Sequence, residues 1–242
     1  MKPRTGLPRG GRGGFVRRPE SKPSRSIMPD PITERLARCY TGVVHDVMRG
    51  MGLKDFTFPA ELRPLFPERP LAGPVFTVLG RTGEFEPHET LLEWTGLLSK
   101  AKAGHIWVCQ PNDRVVAHMG ELSAETLKNK GVLGCLVDGY VRDVNFLIEM
   151  NFETWSRGFT PRDIVGYWRP AGFDVEIRIG DVAVRPGDYL VADHDGAIRV
   201  PRGIIEEVIA KAETAISTEN KVRTAILAGT DPQEAYLRFG KF

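Results

Sequence analysis

Two groups of residues, with a gap of twenty positions between Glu121 and Arg142, have the types that chemistry on an anionic substrate needs. The first is Gly120-Glu121-Leu122-Ser123 and the second is Arg142-Asp143. A helix start offers backbone N–H groups and the positive end of its dipole to an anion. An arginine fork grips a carboxylate, and a lone aspartate suits a hard divalent cation such as Mg²⁺, which keeps most of its water. The same residues have a plainer use, with Asp143 as a helix cap and Arg142 as its solvated or paired neighbour. On residue types alone the plainer use has the better claim, because charge clusters mark sites only statistically.

Other chemistry-bearing residues rank lower. Asn112, Asp113 and His118 lie in the loop just before Gly120, so their side chains could face the same pocket, and His118 is held in reserve. His45 and Asp46 are adjacent on an expected helix, where neighbours point ~100° apart, and read as a surface pair. Asp193-His194-Asp195 has metal-ligand types, but Asp195-Gly196 between two apolar runs is a hairpin signal and the turn reading wins. Cys39, Cys109 and Cys135 are odd in number and form no CxxC pair. That argues for a reducing compartment, read as the cytoplasm, and against a disulfide framework or a structural zinc site.

The elements that must position the two groups follow from periodicity. Glu121 opens a helix that Gly131 stops, and Val132–Val137 is a short apolar run suited to a strand covered on both faces. Asp138-Gly139 ends that strand, and Val141–Met150 resumes helical spacing, which places Arg142 and Asp143 in the turn after a strand. Upstream come two short helices over Ile32–Met51, a strand at Val75–Leu79, a helix at Glu89–Lys102 and a strand at His105–Cys109. This alternation implies βαβ units and a largely parallel sheet. Downstream, Val175–Ile179, Val182–Val184, Tyr189–Ala192 and Ala197–Val200 read as strands, the last three as a β meander. Ile204–Leu227 is a long helix whose apolar stripe fades at Ser217–Lys221, as expected of a helix that reaches a neighbouring subunit.

At 242 residues and 41% hydrophobic content, the chain can bury one core, and one domain over residues 32–242 plus a tail is the simplest count. No apolar run approaches the ~18 residues of a transmembrane helix. Residues 1–31 carry +6 of a total charge of +2, leaving −4 elsewhere, so the folded part gives no general case for nucleic acid. The tail is dense in Gly, Pro, Arg and Ser and is expected to be disordered. Its prolines would break the amphipathic helix that a transit peptide needs.

Taken together, Gly120-Glu121-Leu122, the VDGYVRD turn, VRPGDYLVADHDGAIRVP and the C-terminal ENKVR segment resemble the family of the regulator of ribonuclease activity A (RraA) and the class II 4-hydroxy-4-methyl-2-oxoglutarate aldolases. The resemblance covers most of Val75 to Gly229. It implies a three-layer α/β/β sandwich with a long C-terminal helix, assembled as homotrimers or paired trimers with sites between subunits. It implies a divalent-metal-dependent aldolase that releases pyruvate from a 4-hydroxy-2-oxo acid, with oxaloacetate decarboxylation as a side activity. By the same resemblance Asp143 binds Mg²⁺ or Mn²⁺, and Arg142 contacts the pyruvate-like substrate. The backbone of Gly120, Glu121, Leu122 and Ser123 binds the substrate carboxylate, Glu121 orients water on the metal, and Glu219 enters from the adjacent subunit as a base. No lysine is placed for a Schiff base, since Lys128 and Lys130 fall at the exposed end of a helix. Thr160–Trp168 is bulkier than expected for small-keto-acid aldolases, which points to a longer or sugar-derived 2-oxo acid. The alternative function is a non-catalytic regulator that binds a ribonuclease.

Overall fold

The computed structural model describes residues 30–240, and the basic tail expected over residues 1–31 lies outside them except for Asp30 and Pro31. In chain order the first elements are α1 (Pro31–Leu36), α2 (Thr41–Gly50), β1 (Arg63–Pro64), β2 (Leu71–Thr82), α3 (Pro87–Lys100), β3 (Ile106–Gln110), α4 (Glu121–Asn129), β4 (Gly134–Val137), β5 (Tyr140–Val141) and α5 (Val144–Glu149). Then follow β6 (Thr154–Ser156), β7 (Gly158–Phe159), β8 (Trp168–Phe173), β9 (Ile177–Ile179), β10 (Val182–Val184), β11 (Tyr189–Asp193), β12 (Gly196–Val200), α6 (Ile205–Leu227) and α7 (Pro232–Phe239).

The main sheet runs β1-β6-β4-β3-β2-β11-β12, with β8 also paired to β2. Strands β2, β3, β4 and β6 are mutually parallel, and the remaining pairings are antiparallel. Period-two alternation explains why the central strands are apolar throughout. Phe76 and Val78 of β2, Trp107 and Cys109 of β3, and Cys135 and Val137 of β4 belong to one core cluster, beneath α3, α4 and α5. Val75, Ile106, Val108 and Leu136 face the other way, into a cluster closed by Ile177, Ile179, Val182 and Val184 of the β9–β10 hairpin. A third cluster packs α1, α2 and α6 on β11 and β12. The result is a mixed α/β fold with a curled central sheet, helices on one side, a β layer on the other and a long helix near the C-terminus.

Several expectations are refined. The meander is broken: β10 pairs back with β9, while β11 and β12 extend the main sheet. Strand β8 carries little sequence signal, because Pro170 and Gly172 weaken it. Pro170 sits opposite Gly80 where the register shifts, a place where a missing donor is tolerated. Gly80 is needed there, since a Cβ would lie 2.0 Å from Cζ2 of the buried Trp168. The polar second half of α6 is also not bare: α7 folds back along it, with Val222 and Ala235 buried. Among the described residues no helix is long and apolar enough to cross a membrane.

Candidate functional site

The two residue groups meet because the backbone zips them together. Ala117 pairs in parallel with Tyr140, His118 N–H donates to the Tyr140 carbonyl at 2.9 Å, and Arg142 N–H donates to the Met119 carbonyl at 2.9 Å. The run that ends at Gly120 therefore lies beside the run that ends at Asp143. Helical spacing was expected from Val141, but Tyr140-Val141 is a short strand paired with Gly158-Phe159, and the helix starts only at Val144. The break is Asp143, which adopts a left-handed conformation (φ 58°, ψ 36°). Aspartate tolerates this region better than most residues.

Asp143 precedes α5, yet its side chain does not cap that helix. Its Oδ2 instead accepts the Glu121 N–H at 3.0 Å, capping α4 across the cleft. Arg142 Nε lies 3.4 Å from the same oxygen, and its NH1 lies 3.8 Å from Asp163 Oδ2. Gly120 makes this approach possible. Its backbone is extended, but a Cβ would stand 2.7 Å from Asp143 Oδ2 and 3.1 Å from Arg142 Cγ. Gly120, Glu121, Leu122, Ser123, Arg142 and Asp143 all line one cleft of about 560 Å³.

Thr160–Trp168 was expected to bear on the substrate, whereas the α3 side of the cleft is not marked by the sequence reading. Leu91, Trp94, Thr95 and Leu98 of α3 and Ile164 and Val165 of the 160s loop complete the lining. The signal was present, since Leu91, Trp94, Thr95 and Leu98 recur at i, i+3, i+4 and i+7 on one helix face. It reads equally well as core, and Trp94 and Leu98 are indeed nearly buried.

His118 borders the cleft from within. It is 1% exposed, its Nε2 lies 3.3 Å from Asp113 Oδ2 without the alignment of a hydrogen bond, and its ring meets Trp168 edge-on at 5.0 Å. Burial holds its pKa down at about 4 against the pull of Asp113, so at neutral pH it is an uncharged packing residue. Asp193 belongs to a hairpin turn, as expected, and accepts the Thr41 N–H and hydroxyl at 2.7 Å each to cap α2. His45 and Asp46 form a surface pair. Cys109 and Cys135 are buried, and burial pushes both thiols up, Cys135 to about 12. Glu219 does not line the cleft of its own chain, and its carboxylate pairs with the Tyr40 hydroxyl.

Among the described residues no three or more His, Cys, Asp or Glu side chains are grouped to hold a metal ion. The carboxylates that line the cleft are those of Glu121, Asp143 and Asp163, and Asp143 has one oxygen already bonded to an amide. Such a set fits a hard, largely hydrated cation of the Mg²⁺ or Mn²⁺ kind, and it does not fit zinc, which takes three or four N or S ligands.

The family model for RraA-like proteins (Aldolase/RraA) matches residues 41–199. A protein of Halalkalibacterium halodurans provisionally named 4-hydroxy-4-methyl-2-oxoglutarate aldolase is 28% identical over 189 residues, covering 77% of this chain and 85% of the relative. Protein DlpA of Legionella pneumophila is 22% identical over 86% of this chain, but the match spans only 33% of that longer protein. Among solved structures, Streptomyces coelicolor RraAS2, described as an unusual member of the RNase ES inhibitor RraA protein family, superposes with a TM-score of 0.74. It is 24% identical and covers 81% of this chain and 99% of its own, a likeness of fold.

Proposed function

The chain belongs to the RraA-like family, and from that premise we propose that it is a divalent-metal-dependent lyase that cleaves a 4-hydroxy-2-oxo acid to pyruvate, with oxaloacetate decarboxylation as a side activity. One observation carries the reading: Asp143 Oδ2 accepts the Glu121 N–H, so an anion-binding helix start and an Arg-Asp turn form two sides of one cleft.

In this reading the substrate C1 carboxylate lies on the start of α4, where the first N–H groups have no partner within the helix. Arg142 reaches the same end of the substrate and offers fixed donors to the negative charge that develops on the 2-oxo oxygen. Asp143 would hold the Mg²⁺ or Mn²⁺ ion, which when bound supplies Lewis-acid charge beside the 2-oxo group. The bond between C3 and C4 breaks, the C4 hydroxyl loses its proton, and C3 receives one. Glu121 orients the water that returns the proton to C3, and Glu219 takes the proton from the C4 hydroxyl. Glu219 lies off the cleft of its own chain, which supports a base supplied by a second copy in a homotrimer or a pair of trimers. Lys128 and Lys130 donate to the Met150 and Ser99 carbonyls, which supports a mechanism without a Schiff base.

The test is pyruvate release by the purified chain with Mg²⁺, from oxaloacetate and from 4-hydroxy-4-methyl-2-oxoglutarate. Chelator and Asp143→Ala should each abolish it, and turnover indifferent to both would remove the proposal. Recovery of a ribonuclease by pull-down, with no lyase activity, would favour the non-catalytic regulator instead.

A further inference from the structure

The 160s loop reaches the cleft by a route that the backbone of one chain fixes. The stretch that ends in Arg142 runs between two neighbours. On one side the Arg142 N–H donates to the Met119 carbonyl at 2.9 Å. On the other, the Arg157 N–H donates to the Gly139 carbonyl at 2.9 Å, β7 pairs with β5, and the Thr160 N–H donates to the Val141 carbonyl at 3.1 Å. The chain then passes to the first neighbour, where the Ala117 N–H donates to the Arg162 carbonyl at 2.9 Å. Residues 160–162 therefore cross from one neighbour to the other beside the point where Arg142 leaves its strand, and Asp163 comes next. All these bonds lie within one chain, so the placement does not depend on a second copy.

That placement sets Asp163 against Arg142. Asp163 Oδ1 accepts the Val165 N–H at 3.2 Å, and Oδ2 lies 3.8 Å from Arg142 NH1. Asp143 Oδ2 meets the same guanidinium at Nε, 3.4 Å away. An arginine side chain has many rotamers, and a single charge contact leaves its guanidinium free to turn. Two contacts, at different nitrogens and from different segments, define its plane. Both groups are partly exposed, so the Arg142–Asp163 pair contributes little to folding. Its effect falls on geometry, because it draws the guanidinium away from Asp143, whose Oδ2 already accepts the Glu121 N–H.

We propose that Asp163 is a positioning residue of this cleft: it holds the Arg142 guanidinium beside the 2-oxo oxygen of the substrate and keeps it from closing on Asp143. This rests on the lyase reading above and adds a residue to it. An arginine stabilises developing charge best as a donor already in place, and one that must first be reoriented gives up part of that benefit. Removing the Asp163 charge therefore slows turnover. It does not weaken binding, since Arg142 still pairs with the C1 carboxylate and an anionic substrate meets one negative charge fewer.

The test measures kcat and KM for pyruvate release by the full chain with Mg²⁺, from oxaloacetate and from 4-hydroxy-4-methyl-2-oxoglutarate, with Asp163→Asn and Asp163→Ala as variants. Asparagine keeps an oxygen for the Val165 N–H and loses the charge, whereas alanine loses both. Each variant should lower kcat at least about tenfold and leave KM within about twofold of the parent or below it. The melting temperature of Asp163→Asn should stay within about 2 °C of the parent. A parental kcat in Asp163→Asn, with loss only in Asp163→Ala, assigns the residue to the turn of its own loop and overturns the proposal. A raised KM at unchanged kcat in both variants overturns it as well, and either result leaves the lyase in place. No pyruvate from either substrate with the unmodified chain overturns the lyase reading and this inference with it.

Discussion

Gly120→Ala isolates the contact on which the site depends. The Gly120 backbone is extended (φ −155°), so alanine adopts it without strain and the whole effect is steric. The new methyl group would stand 2.7 Å from Asp143 Oδ2, and the carboxylate must retreat by about 0.7 Å to restore ordinary contact near 3.4 Å. That retreat stretches the 3.0 Å bond from the Glu121 N–H beyond hydrogen-bonding range. Losing a cap of this kind costs about 1–2 kcal/mol. For a domain of this size each kcal/mol lowers the melting temperature by about 2–4 °C, so a fall of about 2–8 °C is expected. The effect on turnover is larger, because misplacement by a fraction of an ångström to one ångström in a site of this type costs about 100-fold. Thermal melting and coupled detection of pyruvate, measured side by side, read the two effects separately. A Gly120→Ala protein with an unchanged melting temperature and kcat/KM within about threefold of the parent would refute the claim that this contact sets the geometry of Asp143.

Three further outcomes follow from other parts of the fold. Gly80→Ala drives a methyl group into the Trp168 indole at 2.0 Å, an indole whose N–H also holds the Pro111 carbonyl at 2.8 Å; denaturant unfolding should show a loss of about 3 kcal/mol or more. Asp193→Ala removes both bonds to Thr41 and should lower stability by about 1–2 kcal/mol with little change in the denaturant slope. Glu153 is nearly buried and its carboxyl is pushed up to about 7 by desolvation, against the pull of Arg69. The unfolded chain releases that proton near pH 4.5 and the folded chain keeps it, so this group stabilises fully below that pH and its contribution is lost as pH rises to about 7. His118 works in the opposite direction, destabilising as pH falls from 6.5 to about 4, because the unfolded chain takes up the proton first. Glu153→Gln should therefore leave stability rising from pH 4.5 to 7 where the parent shows a flatter or falling course; an unchanged course would disprove the shift.

What could be read from the sequence was local. The helix from Glu121, its stop at Gly131 and the apolar run into Val137 each carry their signal within a few residues, and all three appear in the structure. The helix, strand and turn between Glu121 and Arg142 do bring the two groups into one cleft. What escaped depends on partners distant in sequence. Nothing near Asp143 reveals that its carboxylate caps α4 rather than α5. Nothing near Gly80 reveals that an indole from residue 168 fills the space of its missing side chain. The fading stripe of α6 gave no sign of α7, because the covering residue is an alanine, Ala235, whose small side chain adds little to any periodic pattern. The apolar wall of the cleft carried a clear helical period, but that period does not distinguish a face turned to a core from one turned to a substrate.

The cap that Asp143 supplies to α4 bears on how such a protein changes over generations. An Asp-to-Asn exchange at this position keeps a side-chain oxygen for the Glu121 N–H while removing the charge that the proposed cation requires. Folding and chemistry are thus separable by one substitution at the very residue where they meet. On the proposed lyase reading, a lineage that makes this exchange gives up catalysis without loosening the helix start, and it keeps an intact cleft and surface to be put to other uses. On that reading the charge at position 143, and not the shape of the cleft around it, is what separates a chain that cleaves its ligand from one that only binds.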